Sequence, residues 1–183
     1  MKKKILVVIG SPRYEGNTTL MAEAFIEGAK ESGHIVNVFD VNEFDIKGCV
    51  ACNCCWANGK PCAHSEDFNT FAEMVTLSDV IVFASPVYWG TYPAPLKAFI
   101  DKMYCFAVPW CKKHISFKET VLLSCGDGPD ASAFDVINLV YKGLCDFLKW
   151  NVVDMIEVPG LVEAGAIKNT DALEKARKKG RKI

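Results

Sequence analysis

Short apolar runs alternate with longer amphipathic stretches along this chain. Ile5 to Ile9 is continuously apolar, as expected of a strand buried on both faces. Asn17-Thr18-Thr19 then opens a stretch with Leu20, Ala24, Phe25 and Ala29 at helical spacing, which Gly33 ends. Ile35 to Val41 reads as a second strand, and Phe68, Phe71, Ala72 and Val75 mark a short helix. Val80 to Ala84, Val121 to Ser124 and Val152 to Val158 read as three further strands. Helices are expected over about Ala94 to Cys105, Phe134 to Lys149 and Asp171 to Lys182. This βαβαβαβαβα order predicts an α/β three-layer sandwich: a five-stranded parallel sheet, order 2-1-3-4-5, with helices on both faces. Residues 42 to 66 do not fit the alternation. They form a long cysteine-bearing connection, and loops of that length usually carry function.

Composition adds bounds rather than chemistry. The chain has 183 residues, which suits one domain over 1–183 with the cysteine-rich insertion inside it. Half of the residues are apolar, 23% are charged and the net charge is −1, so no global bias toward nucleic acid exists. The basic run at the C-terminus (Lys175, Arg177, Lys178, Lys179, Arg181, Lys182) reads as a solvated face whose cations suit a helix C-terminus. Lys2-Lys3-Lys4 precedes only five apolar residues before Gly10-Ser11-Pro12-Arg13, too few for a signal peptide or a membrane span. A cytoplasmic location, with thiols kept reduced, is therefore the expectation.

Three loops at the carboxyl ends of the strands carry the candidate chemistry. The first runs from Gly10 to Thr19 and matches neither a dinucleotide fingerprint nor a P-loop. It offers the hydroxyls of Ser11, Thr18 and Thr19, the Arg13 guanidinium and the open N–H groups of a helix start, all suited to holding a phosphate. Its bland alternative is a capped turn, with Asn17 or Thr18 as the cap. The second, Ser85-Pro86-Val87-Tyr88-Trp89-Gly90, lies at the switch point of such a sheet and offers backbone amides and two flat side chains to a ring ligand. The alternative there is that Tyr88 and Trp89 are core or interface residues. The third, Ser124 to Pro129, is glycine-rich and completes the rim with Gly126 and Asp127.

Gly10-Ser11-Pro12-Arg13 with Gly16-Asn17-Thr18, Ser85 to Gly90, and Pro95-Leu96-Lys97-Ala98-Phe99-Ile100-Asp101-Lys102 together resemble the NADPH-dependent FMN reductase family of the flavodoxin-like fold. Gly165-Ala166-Ile167-Lys168-Asn169 and Ala176 to Gly180 resemble that family's ending. The resemblance implies bound FMN, its phosphate on Ser11, Arg13, Asn17, Thr18 and Thr19. The ring would sit at the turn Pro86, Val87, Tyr88, Trp89 and Gly90, with Ser85, Gly126 and Asp127 around it. It also implies NAD(P)H as co-substrate and a homodimer or higher oligomer with the flavin near the subunit interface.

Cys49, Cys52, Cys55 and Cys62 follow a C-x2-C-x2-C-x6-C spacing, with Cys54 inside the run. Thiols this close hold a metal or cluster, form disulfides or do redox chemistry. A zinc ribbon separates two C-x2-C pairs more widely, and no second pair occurs here. Within the family, the spacing and place resemble the iron–sulfur flavoprotein branch, which implies a [4Fe-4S] cluster on these four residues. Thiols or a disulfide without metal, and then zinc, are the other readings. Cys54 leaves open which of Cys54 and Cys55 ligates, and His64 is an alternative ligand.

No Ser-His-Asp set and no H-E-x-x-H pair is present, so a bound cofactor would carry the chemistry. Three functions are in play. One is an FMN-dependent oxidoreductase with a cluster, exchanging electrons with small-molecule or protein partners. Another is a cluster-free NAD(P)H quinone or azo reductase. The third is a non-enzymatic flavodoxin-like carrier.

Overall fold

The computed structural model describes residues 1–113, 115 and 118–183. Strands β1 (Lys4–Ile9), β2 (Ile35–Asp40), β3 (Val80–Pro86), β4 (Glu119–Cys125) and β5 (Asn151–Val158) form one parallel sheet in the order β2-β1-β3-β4-β5. The helices are α1 (Asn17–Glu31), α2 (Glu66–Leu77), α3 (Ala94–Lys102), α4 (Asp135–Leu148) and α5 (Ala172–Lys182). The expected fold class is therefore the observed one.

The three central strands read as unbroken apolar runs because helices cover both faces of the sheet. Leu6, Val8, Ile81, Phe83 and Leu122 face Phe68 and Phe71 of α2, Leu96 and Phe99 of α3, and Tyr141 of α4. The alternate residues Ile5, Val7, Val80, Val82 and Leu123 face Met21 and Phe25 of α1 and Ala176 of α5. Both sets are fully buried or nearly so, and each large side chain contributes on the order of 1.5–3 kcal/mol.

Several boundaries differ from the sequence reading. Helix α3 stops at Lys102, and a 3₁₀ turn over Met103–Phe106 carries Cys105 onward. A second 3₁₀ turn, Ala131–Phe134, precedes α4, which ends when Lys149 enters the left-handed region. Gly16 is the N-cap of α1, with no side-chain cap, so neither Asn17 nor Thr18 caps it. The basic residues of α5 are more than a solvated face. Arg177 and Arg181 both bind Glu31 of α1, and Lys179 pairs with Asp154 at 3.1 Å. The Arg177 hydrogen bond, reinforced by Arg181, holds the Glu31 carboxyl down to about 2 from 4.5. A lowered folded-state pKa means that this clamp is in force above pH 4.5 and is released as pH falls toward 2.

Helices α1 and α5 touch through backbone. A methyl at Gly28 would strike the Arg177 carbonyl, and one at Gly180 the Phe25 carbonyl. Glycine inside a helix ordinarily costs about 0.5–1 kcal/mol relative to alanine. Gly28→Ala and Gly180→Ala are therefore expected to reverse the usual sign and destabilise by roughly 1–3 kcal/mol. Gly143 on α4, with open space around it, is the control, and Gly143→Ala should raise the melting temperature. Thermal unfolding of the three variants decides this; a rise for Gly28→Ala would contradict the close approach.

Candidate functional site

The loops after β1, β3, β4 and β5 surround a cavity of about 680 Å³ at the carboxyl edge of the sheet. That volume lies within the usual range for small-molecule and cofactor sites. Ser11, Arg13, Asn17 and Thr18 line one end. The turn from Pro86 to Gly90 lines another wall, and Asp127 a third.

The first loop wraps around one carbonyl. The Arg13 oxygen accepts from the Gly16 amide at 3.0 Å and from the Thr19 hydroxyl at 2.9 Å. The Ser11 hydroxyl lies 3.3 Å from the Arg13 amide as acceptor. Asn42, just past β2, ties the loop down by donating to the Ser11 carbonyl at 2.8 Å. As at any helix start, the first amides of α1 have no intrahelical acceptor; the first ladder bond runs from Leu20 to Gly16. These amides and the Thr18 hydroxyl are the donors this end of the cavity offers.

Asn17 and Thr19 are placed differently from the sequence reading. The Asn17 carboxamide donates to the Glu163 carbonyl at 2.9 Å and accepts from the Ile167 amide at 3.1 Å. It staples the segment after β5 over the start of α1. Thr19 spends its hydroxyl on Arg13 and does not line the cavity. The side chains of both residues are engaged within the protein.

In the second loop, Tyr88 and Thr91 exchange backbone hydrogen bonds at 2.8 and 3.0 Å. The two residues between them, Trp89 and Gly90, have φ of 49° and 78°. This is a type I′ hairpin turn, which needs two left-handed residues in succession. Glycine accepts that conformation freely; tryptophan does so at a cost, and such strain gathers at functional sites. The turn holds the Trp89 side chain fully in solvent and Tyr88 half out, so neither is a core residue. The Val87 amide is bonded to the Cys125 carbonyl. Among the described residues, the Trp89 and Gly90 amides have no backbone acceptor and are the donors this loop offers.

Ser85 lies fully buried below the cavity, its hydroxyl on the Pro86 carbonyl at 2.9 Å, and Gly126 continues the ladder to Val158. Neither lines the cavity. Cys125 and Gly128 of the same expected rim loop do line it, and so do Ala133, Leu161 and Val162, which the sequence reading missed. Burial pushes the Cys125 thiol up to about 12, so a neutral sulfur faces the cavity.

The cysteine connection forms a second concavity. All nine cysteines are free thiols. Cys49, Cys52, Cys55 and Cys62 surround a concavity of about 30 Å³, together with Cys54 and His64. Cys55 is half-buried; burial first, and then Cys49, Cys62 and Cys52, raise its pKa. Ala51, Asn53 and Trp56 all have positive φ, of 53°, 56° and 64°. Left-handed residues interspersed in a loop turn successive amides toward one concavity, the backbone arrangement that serves many iron–sulfur and phosphate sites. Anchors from outside hold the loop. Trp56 donates to the Cys105 carbonyl at 2.7 Å, Trp110 to the Cys55 carbonyl at 2.9 Å, and Asn69 grips the Cys62 amide and carbonyl at 2.7 and 2.9 Å.

Lys102 also lines this concavity, only 7% exposed, with its ammonium 3.5 Å from the Gly48 carbonyl. Among the described residues it has no carboxylate partner. A buried ammonium is costly without an anion, and the thiols that line the same concavity can supply one as thiolates.

The family model for NADPH-dependent FMN reductases matches residues 3–158. An iron–sulfur flavoprotein of Archaeoglobus fulgidus is 29% identical over 181 residues, covering 98% of this chain and 78% of that protein. Iron–sulfur flavoproteins of Methanocaldococcus jannaschii and Methanosarcina thermophila match over 99 residues, and this chain spans about half of their length (51% in each). In fold, the chain is similar to an NAD(P)H:quinone oxidoreductase from Methanothermobacter marburgensis, with a TM-score of 0.72, 18% identity and coverage of 99% and 96%. It is also similar to an FMN-dependent NADH-azoreductase from Bacillus anthracis in complex with FMN, with a TM-score of 0.75, 12% identity and coverage of 100% and 99%. No described helix is long and apolar enough to cross a membrane. With the switch-point cavity and the match over most of its length, this chain belongs to the NADPH-dependent FMN reductase family and is a flavodoxin-like, FMN-dependent oxidoreductase.

Proposed function

We propose that the chain is an iron–sulfur flavoprotein that carries FMN in the 680 Å³ cavity and a [4Fe-4S] cluster on Cys49, Cys52, Cys55 and Cys62. One observation carries the cluster: four thiols and a buried, carboxylate-free ammonium, Lys102, converge on a loop whose backbone repeatedly enters the left-handed region. That donor set suits an anionic sulfur-ligated group. The identity with the Archaeoglobus protein supports the same reading.

In this proposal Ser11, Arg13, Thr18 and the first amides of α1 hold the flavin phosphate, with the helix dipole favouring its charge. The Trp89 and Gly90 amides take the polar edge of the ring, and Tyr88, Trp89, Leu161 and Val162 enclose it. FMN, when bound, supplies hydride and single-electron chemistry. The residues bind and orient; no acid–base pair of the chain is required. The neutral Cys125 thiol provides polarizable contact rather than a proton. NAD(P)H or a one-electron donor would reduce the protein, and a small molecule or protein would be the acceptor. A homodimer covering the cavity mouth is supported by the exposed Tyr14, Trp89 and Val162 around it.

A second reading, a cluster-free NAD(P)H quinone or azo reductase, is favoured by the folds of the quinone and azo reductases. Anaerobic purification followed by iron, sulfide and flavin quantitation separates the two. About four irons and four sulfides with one FMN per chain are expected. A yellow, iron-free protein that oxidises NADPH rapidly would select the second reading. A colourless protein that takes up no added FMN would exclude both.

A further inference from the structure

Cys54 is not absorbed by the cluster spacing, and His64 is not needed by it. Yet the ligand atoms of Cys52, Cys54 and His64 all lie within 4.8 Å of one another. A tetrahedral zinc site with Zn–S near 2.3 Å has ligand atoms about 3.5–3.8 Å apart, so small side-chain rotations complete it. Two thiolates and one imidazole form a soft donor set of zinc type. All three residues line the same concavity as the other motif cysteines, Cys49, Cys55 and Cys62. Cys52 and His64 are exposed, which leaves a fourth coordination position open to water and makes the ion exchangeable.

We infer that the cysteine loop contains two overlapping metal sites that share Cys52. One, resting on the proposed function above, is the cluster set of Cys49, Cys52, Cys55 and Cys62. The other is a mononuclear site for a thiophilic divalent cation on Cys52, Cys54 and His64. A Cys52 thiolate drawn to the cation is withdrawn from the cluster set, so occupancy of the three-ligand site opposes cluster assembly. On entry, the cation displaces the two thiol protons to solvent, and His64 ligates as the neutral imidazole; no oxidant or reductant is involved. The pair of sites would make cluster loading sensitive to free zinc.

The test uses the full-length apo-protein, prepared anaerobically and titrated with Co²⁺ and then Zn²⁺. One Co²⁺ per chain is expected, with the intense visible bands of a tetrahedral thiolate site. Cys54→Ser and His64→Ala should each weaken binding at least ~100-fold, since even the loss of an outer-shell partner costs 10–100-fold. Cys49→Ser and Cys62→Ser should bind cobalt normally. Reconstitution with iron and sulfide should fail in zinc-loaded wild type and succeed in zinc-treated Cys54→Ser. Cobalt binding that survives in Cys54→Ser and His64→Ala but is lost in Cys49→Ser would overturn the three-ligand site. Iron uptake with zinc still bound would overturn the competition between the two sites. If no variant takes up iron even without zinc, the cluster reading fails, while the cobalt titration still decides the three-ligand site.

Discussion

Cys55→Ser strips the iron from anaerobically purified protein and leaves the flavin in place. Cys55 and Cys62 are the half-buried thiols of the motif, and the Cys55 backbone is pinned by Trp110, which holds its sulfur at the concavity. A serine hydroxyl is a hard ligand and does not replace thiolate on an iron–sulfur cluster. The flavin cavity is built from the loops after β1, β3, β4 and β5 and shares no lining residue with the cysteine concavity. Iron and sulfide should therefore fall from about four per chain to near zero, with FMN unchanged. Iron analysis and visible absorbance measure both at once. Iron retained in Cys55→Ser would move the ligand role to Cys54.

Thr18→Val lowers FMN affinity about tenfold without lowering the melting temperature. The threonine is 2% exposed, lines the phosphate end of the cavity and keeps its size and branching as valine. A hydrogen bond to a charged group contributes about 1.5–3 kcal/mol, and 1.4 kcal/mol is tenfold in affinity. Asn17→Ala behaves differently. Its carboxamide joins the start of α1 to Glu163 and Ile167, so its loss leaves the buried Ile167 amide unpaired and frees the segment that carries Leu161 and Val162. Both stability and FMN affinity should drop. Flavin fluorescence titration and thermal melts on the two variants distinguish a ligand contact from a staple. Equal losses of stability in both would remove Thr18 from the phosphate site.

The strands were legible because continuous apolar runs have one use in a doubly covered sheet, and their order followed from the alternation with helices. Element ends were less legible. Nothing local distinguishes the α-helical Lys102 from the 3₁₀ turn that follows it. The cavity residues split in the same way. Ser11, Arg13 and Thr18 were readable from residue type and position after the first strand. The task of Asn17 was hidden because its partners lie 146 and 150 positions away. Leu161 and Val162 carried no signal beyond being apolar in a loop. The Trp89-Gly90 turn did carry one: glycine at the second central position of a two-residue hairpin is a type I′ mark, and it implies an outward Trp89. At the cysteine loop, spacing revealed the motif thiols, whereas the approach of Lys102 and the meeting of Cys54 with His64 required the folded chain.

Lys102 links occupancy to persistence. Any group that neutralises this interior cation binds the folded chain and not the unfolded one, so loading adds stability in proportion to the logarithm of its concentration over its dissociation constant. Air that destroys an iron–sulfur centre would then do more than silence electron flow. It would withdraw that added stability and shorten the protein's lifetime, turning an oxidising episode into a fall in abundance.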